Sequence, residues 1–272
     1  MYLFSSIPNF FLLLYPAGFG TGGRRGRFGK IQTFTVPQNT RYLIKAWGAR
    51  GGTHSYDYGY LPGTYYGVKG AFKEGKFTLN RGTVLNIVVG KKGGDSMEVK
   101  GGQSTKQTAA QLGKSVKENA GTGGSGGGSF VYTTADVLLL AAGGGWGASG
   151  GYNGVDGQAD SGGTRSVGKE SSRVRNGGTT GQPRECTIEG AHYHGGVGAS
   201  WFGQGCTRLG FSHGERGGSR AEGWIRGKVG GLNGGVNRGP VQEQLGDGGG
   251  GTEVNGASGG GGGYSGGGSG TH

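Results

Sequence analysis

The chain has little of what usually carries a core or a chemistry. Apolar residues make up 31% of it, low for a globular protein. The 16 acidic residues are outnumbered by 28 lysines and arginines. No apolar run could span a bilayer: the N-terminal one, residues 10–15, is short and bracketed by Pro8 and Pro16. No lysine or arginine precedes it, so it reads either as a degenerate signal peptide or as the product of a mispredicted or truncated start. There is no Asn-X-Ser/Thr sequon to place the compartment. No strict Gly-X-Y frame exists, which excludes collagen. Helix-tolerant composition is confined to residues 95–120, expected to be mostly loop with a short helix near 105–112. The two cysteines, Cys186 and Cys206, have nineteen residues between them. In a reducing compartment they would be two free thiols; in an oxidising one they would close a loop worth roughly 3 kcal/mol.

What is abundant is glycine, 73 of 272 residues. The turning point is residues 137–151, Val-Leu-Leu-Leu-Ala-Ala-Gly-Gly-Gly-Trp-Gly-Ala-Ser-Gly-Gly. It opens apolar at every position, the pattern of a strand covered on both faces. It then loses its side chains, although glycine loses the most entropy on ordering. Before residue 143 the chain reads as β-protein with one core of about 100–120 residues. Strands are expected at 31–36, 42–47, 70–79, 84–89, 129–133 and 137–142. Turns at 80–83 and 134–136 suggest two hairpins, 70–79 with 84–89 and 129–133 with 137–142. Beyond 143, glycine clusters recur at 143–151, 195–205, 248–251 and 259–268. Such tracts are either disordered or bundled as extended threefold left-handed helices. That helix has no internal hydrogen bonds, so its backbone groups must pair with neighbours.

Site motifs are sparse. Gly-x-Gly-x-x-Gly from Gly121 to Gly126 is expected by chance at this glycine density and precedes a strand, not a helix. Gly113-Lys114-Ser115 lacks the first glycine of a Walker A motif. His192 and His194 with Cys186 and Cys206 have the ligand types of a zinc site but not the spacing of a known finger; solvated loop histidines are the plainer reading. Nothing orients Cys206 and His213 for catalysis. Arg50-Gly-Gly52, Arg216-Gly-Gly218 and Arg24-Arg-Gly-Arg27 are near RNA-binding RGG patterns. The net charge of +12, with clusters at Arg24/Arg25/Arg27/Lys30, Lys91/Lys92 and residues 165–184, suits either solubility or attraction to polyanions such as acidic glycans. Tyr56, Tyr58, Tyr60, Tyr65 and Tyr66 fall in one loop, giving contact area at low entropy cost, or simply a cover for one end of the core.

The order of these stretches resembles the glycine-rich ligand-binding region of the anaplastic lymphoma kinase and leukocyte tyrosine kinase receptors. The resemblance is carried by residues 31–37 and 42–52, 70–79, 85–95, 121–151 (above all Leu-Leu-Leu-Ala-Ala-Gly-Gly-Gly), 202–206 and 259–268, and covers roughly 30–272. It implies a mainly β module: a jelly-roll, tumour-necrosis-factor-like β-sandwich with a projecting bundle of polyglycine helices. The domain reading is then 1–29 as an apolar segment and Gly/Arg linker, 30–142 as the sandwich, and 143–272 as the glycine-rich part of one composite module that stops short of the family's closing strand. It implies a Cys186–Cys206 disulfide. Residues 207–247 are an insertion without counterpart. The chain has no catalytic-loop His-Arg-Asp and no Asp-Phe-Gly, so no kinase activity is expected of it, and no cofactor or metal.

The expected function is non-enzymatic recognition of a protein ligand or cell-surface partner, outside the cell or at its surface, with Tyr56, Tyr58, Tyr60, Tyr65 and Tyr66 as ligand contacts. Acidic glycans and a second copy are further partners; nucleic acid is disfavoured. The alternatives are a self-associating adhesive or structural protein and an RGG-type RNA binder. If the glycine half is ordered, its large residues Trp146, Trp201, Phe202 and Tyr264 are expected at the edge of the bundle, docking it to the β-core.

Overall fold

The computed structural model describes residues 2–6, 17–20, 31–56, 63–98, 115–117, 126–148, 151–165, 176–183, 197–204, 216–226, 244–245 and 259–268. The protein is mainly β. Strand β4 (Thr40–Trp47) shows why: its sequence alternates, burying Tyr42, Ile44 and Ala46 and turning Arg41, Lys45 and Trp47 outward. It lies between β1 (Tyr2–Ser6) and β7 (Phe72–Leu79), and β2 (Ala17–Phe19) completes an antiparallel sheet in the order β2-β1-β4-β7. Tyr2–Ser6 and Ala17–Phe19, from the stretch read as an apolar segment and Gly/Arg linker, are two strands of this sheet.

A second antiparallel sheet has the order β12-β11-β8-β3, from β12 (Leu138–Ala142), β11 (Ser129–Thr133), β8 (Val84–Val88) and β3 (Gln32–Thr35). The two sheets share one core. Tyr42, Ile44 and Ala46 of the first meet Leu85, Ile87, Val131, Leu140 and Ala142 of the second, with Val36, Leu79 and Val89 at the margins. The arrangement is consistent with a β-sandwich. Each fully buried aliphatic side chain contributes on the order of 1.5–3 kcal/mol. A smaller sheet, β10-β9-β5-β6, is built from β5 (His54–Tyr56), β6 (Gly63–Tyr65), β9 (Ser96–Glu98) and β10 (Ser115–Lys117). β13 (Ile225–Arg226) and β14 (Gln244–Leu245) form a short ribbon. The helix expected near 105–112 lies outside the described residues.

The 129–133 hairpin forms as expected, β11 against β12, with Asp136 at φ 62° in its turn. The hairpin of 70–79 with 84–89 does not. β7 pairs with β4, whereas β8 pairs with β3 and β11. The turn between them binds the β3–β4 connection instead: the Gly82 amide donates to the Val36 carbonyl, the Val36 amide to the Thr83 carbonyl, and the Arg81 amide to Asn39 Oδ1. It is a corner that carries the chain from one sheet to the other. Leu79 and Leu85 then reach the same core from opposite sides. Turn chemistry alone does not separate a corner from a hairpin.

β12 is covered on both faces, as its apolar run predicts, except that Val137, the first residue of that run, precedes the strand and is exposed. A bulge between Val131 and Tyr132 sets the register. Leu140 and Ala142 join the sandwich core with Leu139 packed against it, and Leu138 and Ala141 pack against a second cluster of Val88, Phe130, Tyr132, Trp201 and Trp224. Sheet β12-β11-β8-β3 is therefore the middle layer of three.

The glycine segments are tied by backbone hydrogen bonds. Gly48 and Gly51 amides donate to Ala71 and Val68 carbonyls. Ala71 and Val68 amides donate in turn to Gly143 and Trp146 carbonyls. Gly145 and Ala148 amides donate to Ala49 and Gly52 carbonyls. In each pair of segments the bonded residues are three apart, and residues between them turn to other neighbours: the Ala49 amide to Gly127, the Gly144 amide to Gly262. A β-ladder repeats every second residue. The network runs on through 261–263, 266–268, 197–199, 163–164 and Gly178, joining both sides of residue 143. At many of the glycines the spacing is too close for a side chain. A Cβ on Gly48 would lie 1.9 Å from the Gly143 oxygen, one on Gly144 2.0 Å from that of Gly126, and one on Gly266 1.9 Å from that of Gly198.

Substituting Gly144→Ala should therefore destabilise the fold by at least about 3 kcal/mol, because only backbone displacement relieves the clash. Gly162→Ala, whose Cβ would meet nothing closer than Asp160 Oδ1 at 3.4 Å, should change stability by less than about 1 kcal/mol. Urea unfolding of the two variants side by side checks this; equal destabilisation would contradict it.

Candidate recognition surface

The tyrosine loop begins in the small sheet. β5 and β6 pair antiparallel, His54 opposite Tyr65 and Tyr56 opposite Gly63. Tyr65 is half-buried and Tyr66 exposed. Tyr58 and Tyr60 lie outside the described residues, as does the side chain of Tyr56. The segment that follows β6 is held by hydrogen bonds. The Tyr66 amide donates to Asn153 Oδ1 at 2.8 Å, and the Gly154 amide to the Tyr66 carbonyl. Three residues on, the Lys69 amide donates to Asp156 Oδ1 and the Gly157 amide to the Lys69 carbonyl. Arg50 Nε donates to the Gly67 carbonyl. This brings Tyr66 beside residues 152–154, where Tyr152 is also exposed. Tyr152 was not singled out from sequence; nothing but a long-range pairing links it to residue 66.

His54 anchors the base of this surface. It is fully buried, and desolvation pushes its pKa down to about 3. In the unfolded chain it titrates near 6.5. The folded state thus binds fewer protons between those values, and stability falls as pH drops below about 6.5.

The second ordered feature lies in the stretch read as an insertion without counterpart. Arg216 donates from both guanidinium nitrogens to Glu222, each at 2.6 Å. Those bonds, with help from the Ser219 amide and hydroxyl, hold the Glu222 carboxyl down at about 2. Ser219 and Glu222 form a capping box on the single 3-10 turn Arg220–Glu222. Gly223 and Trp224 follow with φ of 66° and 63°. A tryptophan in that region is strained by roughly 1–3 kcal/mol. What offsets it is stacking: Trp224 is fully buried with its ring 4.3 Å from that of Phe130, and Trp201 is 6.0 Å from Phe130 on the same side. Arg220 lies 4.7 Å over the Trp201 ring and bridges to Asp136 at 2.8 Å. The segment seals the outer face of the middle sheet.

The expected docking residues divide. Trp201 packs against Phe130 and Tyr132, and Tyr264 packs on the same cluster. Trp146 is not at an edge: it is fully buried against positions 261 and 267. Phe202 does not dock the core either; it is 61% exposed and meets only the edge of Tyr264 among described rings. Trp146 is held inside because the segments around it have no side chains to fill the space.

Of the other sequence motifs, the Arg50 and Arg216 guanidiniums have protein partners, which leaves the RGG-like reading without a free arginine at either position. Lys92 pairs with Asp95 at 2.6 Å. The Gly126 amide, last of the Gly-x-Gly-x-x-Gly match, donates to the Gly145 carbonyl. Cys186, Cys206, His192, His194, His213 and residues 24–27 lie outside the described residues. Among the described residues no three His, Cys, Asp or Glu are grouped to hold a metal, and no helix is long and apolar enough to cross a membrane. The chain matches no protein-family model and no curated protein.

Two outcomes test these arrangements. Trp224→Ala should cost about 3–5 kcal/mol, measured by chemical denaturation. For His54→Gln, the difference in stability from wild type should shrink as pH falls from 7 toward 5, because only the wild type loses up to about 1.4 kcal/mol per pH unit through this residue. Parallel pH curves for the two proteins would overturn the assignment.

Proposed function

We propose that this chain is a non-enzymatic extracellular recognition module that binds a protein ligand or cell-surface partner. In this reading the sandwich is of the jelly-roll, tumour-necrosis-factor-like type. The glycine segments are extended threefold left-handed helices packed as a bundle, and Cys186 and Cys206 are disulfide-linked. The observation that carries the reading is the three-residue spacing of the backbone bonds between glycine segments on both sides of residue 143. That spacing matches a helix with three residues per turn and no internal hydrogen bonds. It supports one rigid body made from both halves, not a sandwich with a flexible tail. The receptor-like resemblance supports the rest, and the exposed Tyr66 and Tyr152 on a hydrogen-bonded frame are its ligand surface.

The test uses the full chain secreted from cells. Sedimentation should give a monomer over a hundredfold concentration range, and non-reduced peptide mapping should find Cys186 joined to Cys206. The labelled monomer should bind intact cells saturably. Tyr66→Ala with Tyr152→Ala should weaken that binding at least about tenfold without lowering the melting temperature, in line with aromatic anchors dominating interfaces. Concentration-dependent assembly would favour a self-associating adhesive protein instead. Unchanged cell binding by the double variant would remove the tyrosine surface from the reading.

A further inference from the structure

Strands β4 and β7 of the sheet β2-β1-β4-β7 turn one face to the core and one outward. Outward on β4 stand Arg41, Leu43, Lys45 and Trp47; opposite them on β7 are Thr78, Lys76, Glu74 and Phe72. Arg41 and Lys76 are exposed and Lys45 partly so. Arg41 and Lys45 are four residues apart on an extended strand, roughly 13 Å, and Lys76 faces the residue midway between them. Among the strands of this sheet only Glu74 opposes their sign on the outward face, and it lies 3.4 Å from Lys45; β1 and β2 hold no charged residue. At one end of this row the rings of Trp47 and Phe72 touch, centroids 4.9 Å apart and tilted 39°. Both remain substantially exposed, 38% and 44%. Adjacent large aromatics beside a basic row are what a soluble protein keeps for a ligand.

We propose that this face binds an acidic polysaccharide, with a sugar ring laid on the Trp47–Phe72 pair and sulfate or carboxylate groups on Arg41, Lys45 and Lys76. This rests on the extracellular part of the reading above, not on the tyrosine surface. The layout of the face selects the ligand class. β4 is paired along both edges, and an acidic peptide added as a strand to β7, the last in the sheet order, would lie beside Lys76 and away from Arg41 and Lys45. Single-stranded nucleic acid stacks successive bases on a series of aromatics, and this face has one pair.

The experiment measures heparin binding to the secreted full chain by calorimetry across a salt series. Wild type should bind, with affinity falling steeply as salt rises from about 50 mM, as for a ligand that releases counterions. Arg41→Ala, Lys45→Ala and Lys76→Ala combined should weaken binding at least about tenfold and flatten the salt slope, with the melting temperature unchanged. Trp47→Ala should weaken binding and leave the slope as it was. Removing the same charge elsewhere, with Lys69→Ala, Lys92→Ala and Arg165→Ala, should have less than about a threefold effect. The proposal is overturned if the two triple variants lose affinity equally, since net charge would then explain binding. It also fails if single-stranded RNA or polyglutamate binds as tightly as heparin, or if wild type does not bind at low salt. None of these results depends on Tyr66 or Tyr152, so the two surfaces stand or fall separately.

Discussion

A backbone with no side chains has only its amides and carbonyls with which to hold itself in place, and this protein is organised around that constraint. Ordering each residue costs roughly 1–2 kcal/mol, and a glycine tract buries almost no apolar area in return. A buried amide left unpaired would add further cost. Every extended segment therefore needs neighbours on several sides at once. Residues 143–148 show the solution: their carbonyls and amides reach 49–52, 68–71, 126, 155 and 262. The sequence can supply so many partners only because glycine recurs in distant parts of the chain. The lattice is cooperative for the same reason, since removing one segment orphans groups on several others.

The lattice still has to be attached to something that folds by the hydrophobic effect. Two devices do this. The first is continuity: β4 runs straight into 48–52, and β12 straight into 143–148, so the sandwich fixes where two central segments start. The second is the aromatic cluster on the outer face of the middle sheet. Phe130 and Tyr132 alternate with Val131 along β11, sending aromatics to one side and an aliphatic to the core. Trp201 and Trp224 arrive from chain segments that flank glycine and cover them. The strained Trp224 backbone and the Arg216–Glu222 pair matter here because they present that ring. An exposed ion pair would add little, but this one is largely sheltered and orders the turn.

Legibility from sequence followed the range of the interaction. The strands of the sandwich could be read because alternation and β-branched composition are local; β4 and β11 fall where their patterns put them. The covered nature of β12 was legible too, because an apolar run with no polar face demands two partners. Pairing was less so. Residues 80–83 have the composition of a tight turn, and nothing local says that the strands they join enter different sheets. The role of Trp224 was hidden in a stretch that resembles nothing, and its only local sign was a capping box, Ser219 with Glu222, followed by Gly223. Tyr152 becomes part of a surface only through Asn153 meeting the Tyr66 amide across 87 positions.

This division also bears on where binding can evolve in such a molecule. Most lattice glycines accept no side chain: at Gly48, Gly51, Gly144 and Gly266, for example, a Cβ would overlap backbone atoms at about 2 Å. Variation in large side chains is therefore left to the sandwich faces, the small sheet and the polar segments that connect glycine tracts. Those are the places where the large exposed residues occur: Trp47 and Phe72 on one sheet, Tyr66 and Tyr152 beside the small sheet, Phe202 on a connecting turn. Glycines packed this closely hold their segments in place, and under the proposed recognition function such a frame would let exposed aromatics bind without first being ordered. On that reading, the entropy that an adaptable loop would lose on binding is lost beforehand, when the glycine segments find their partners.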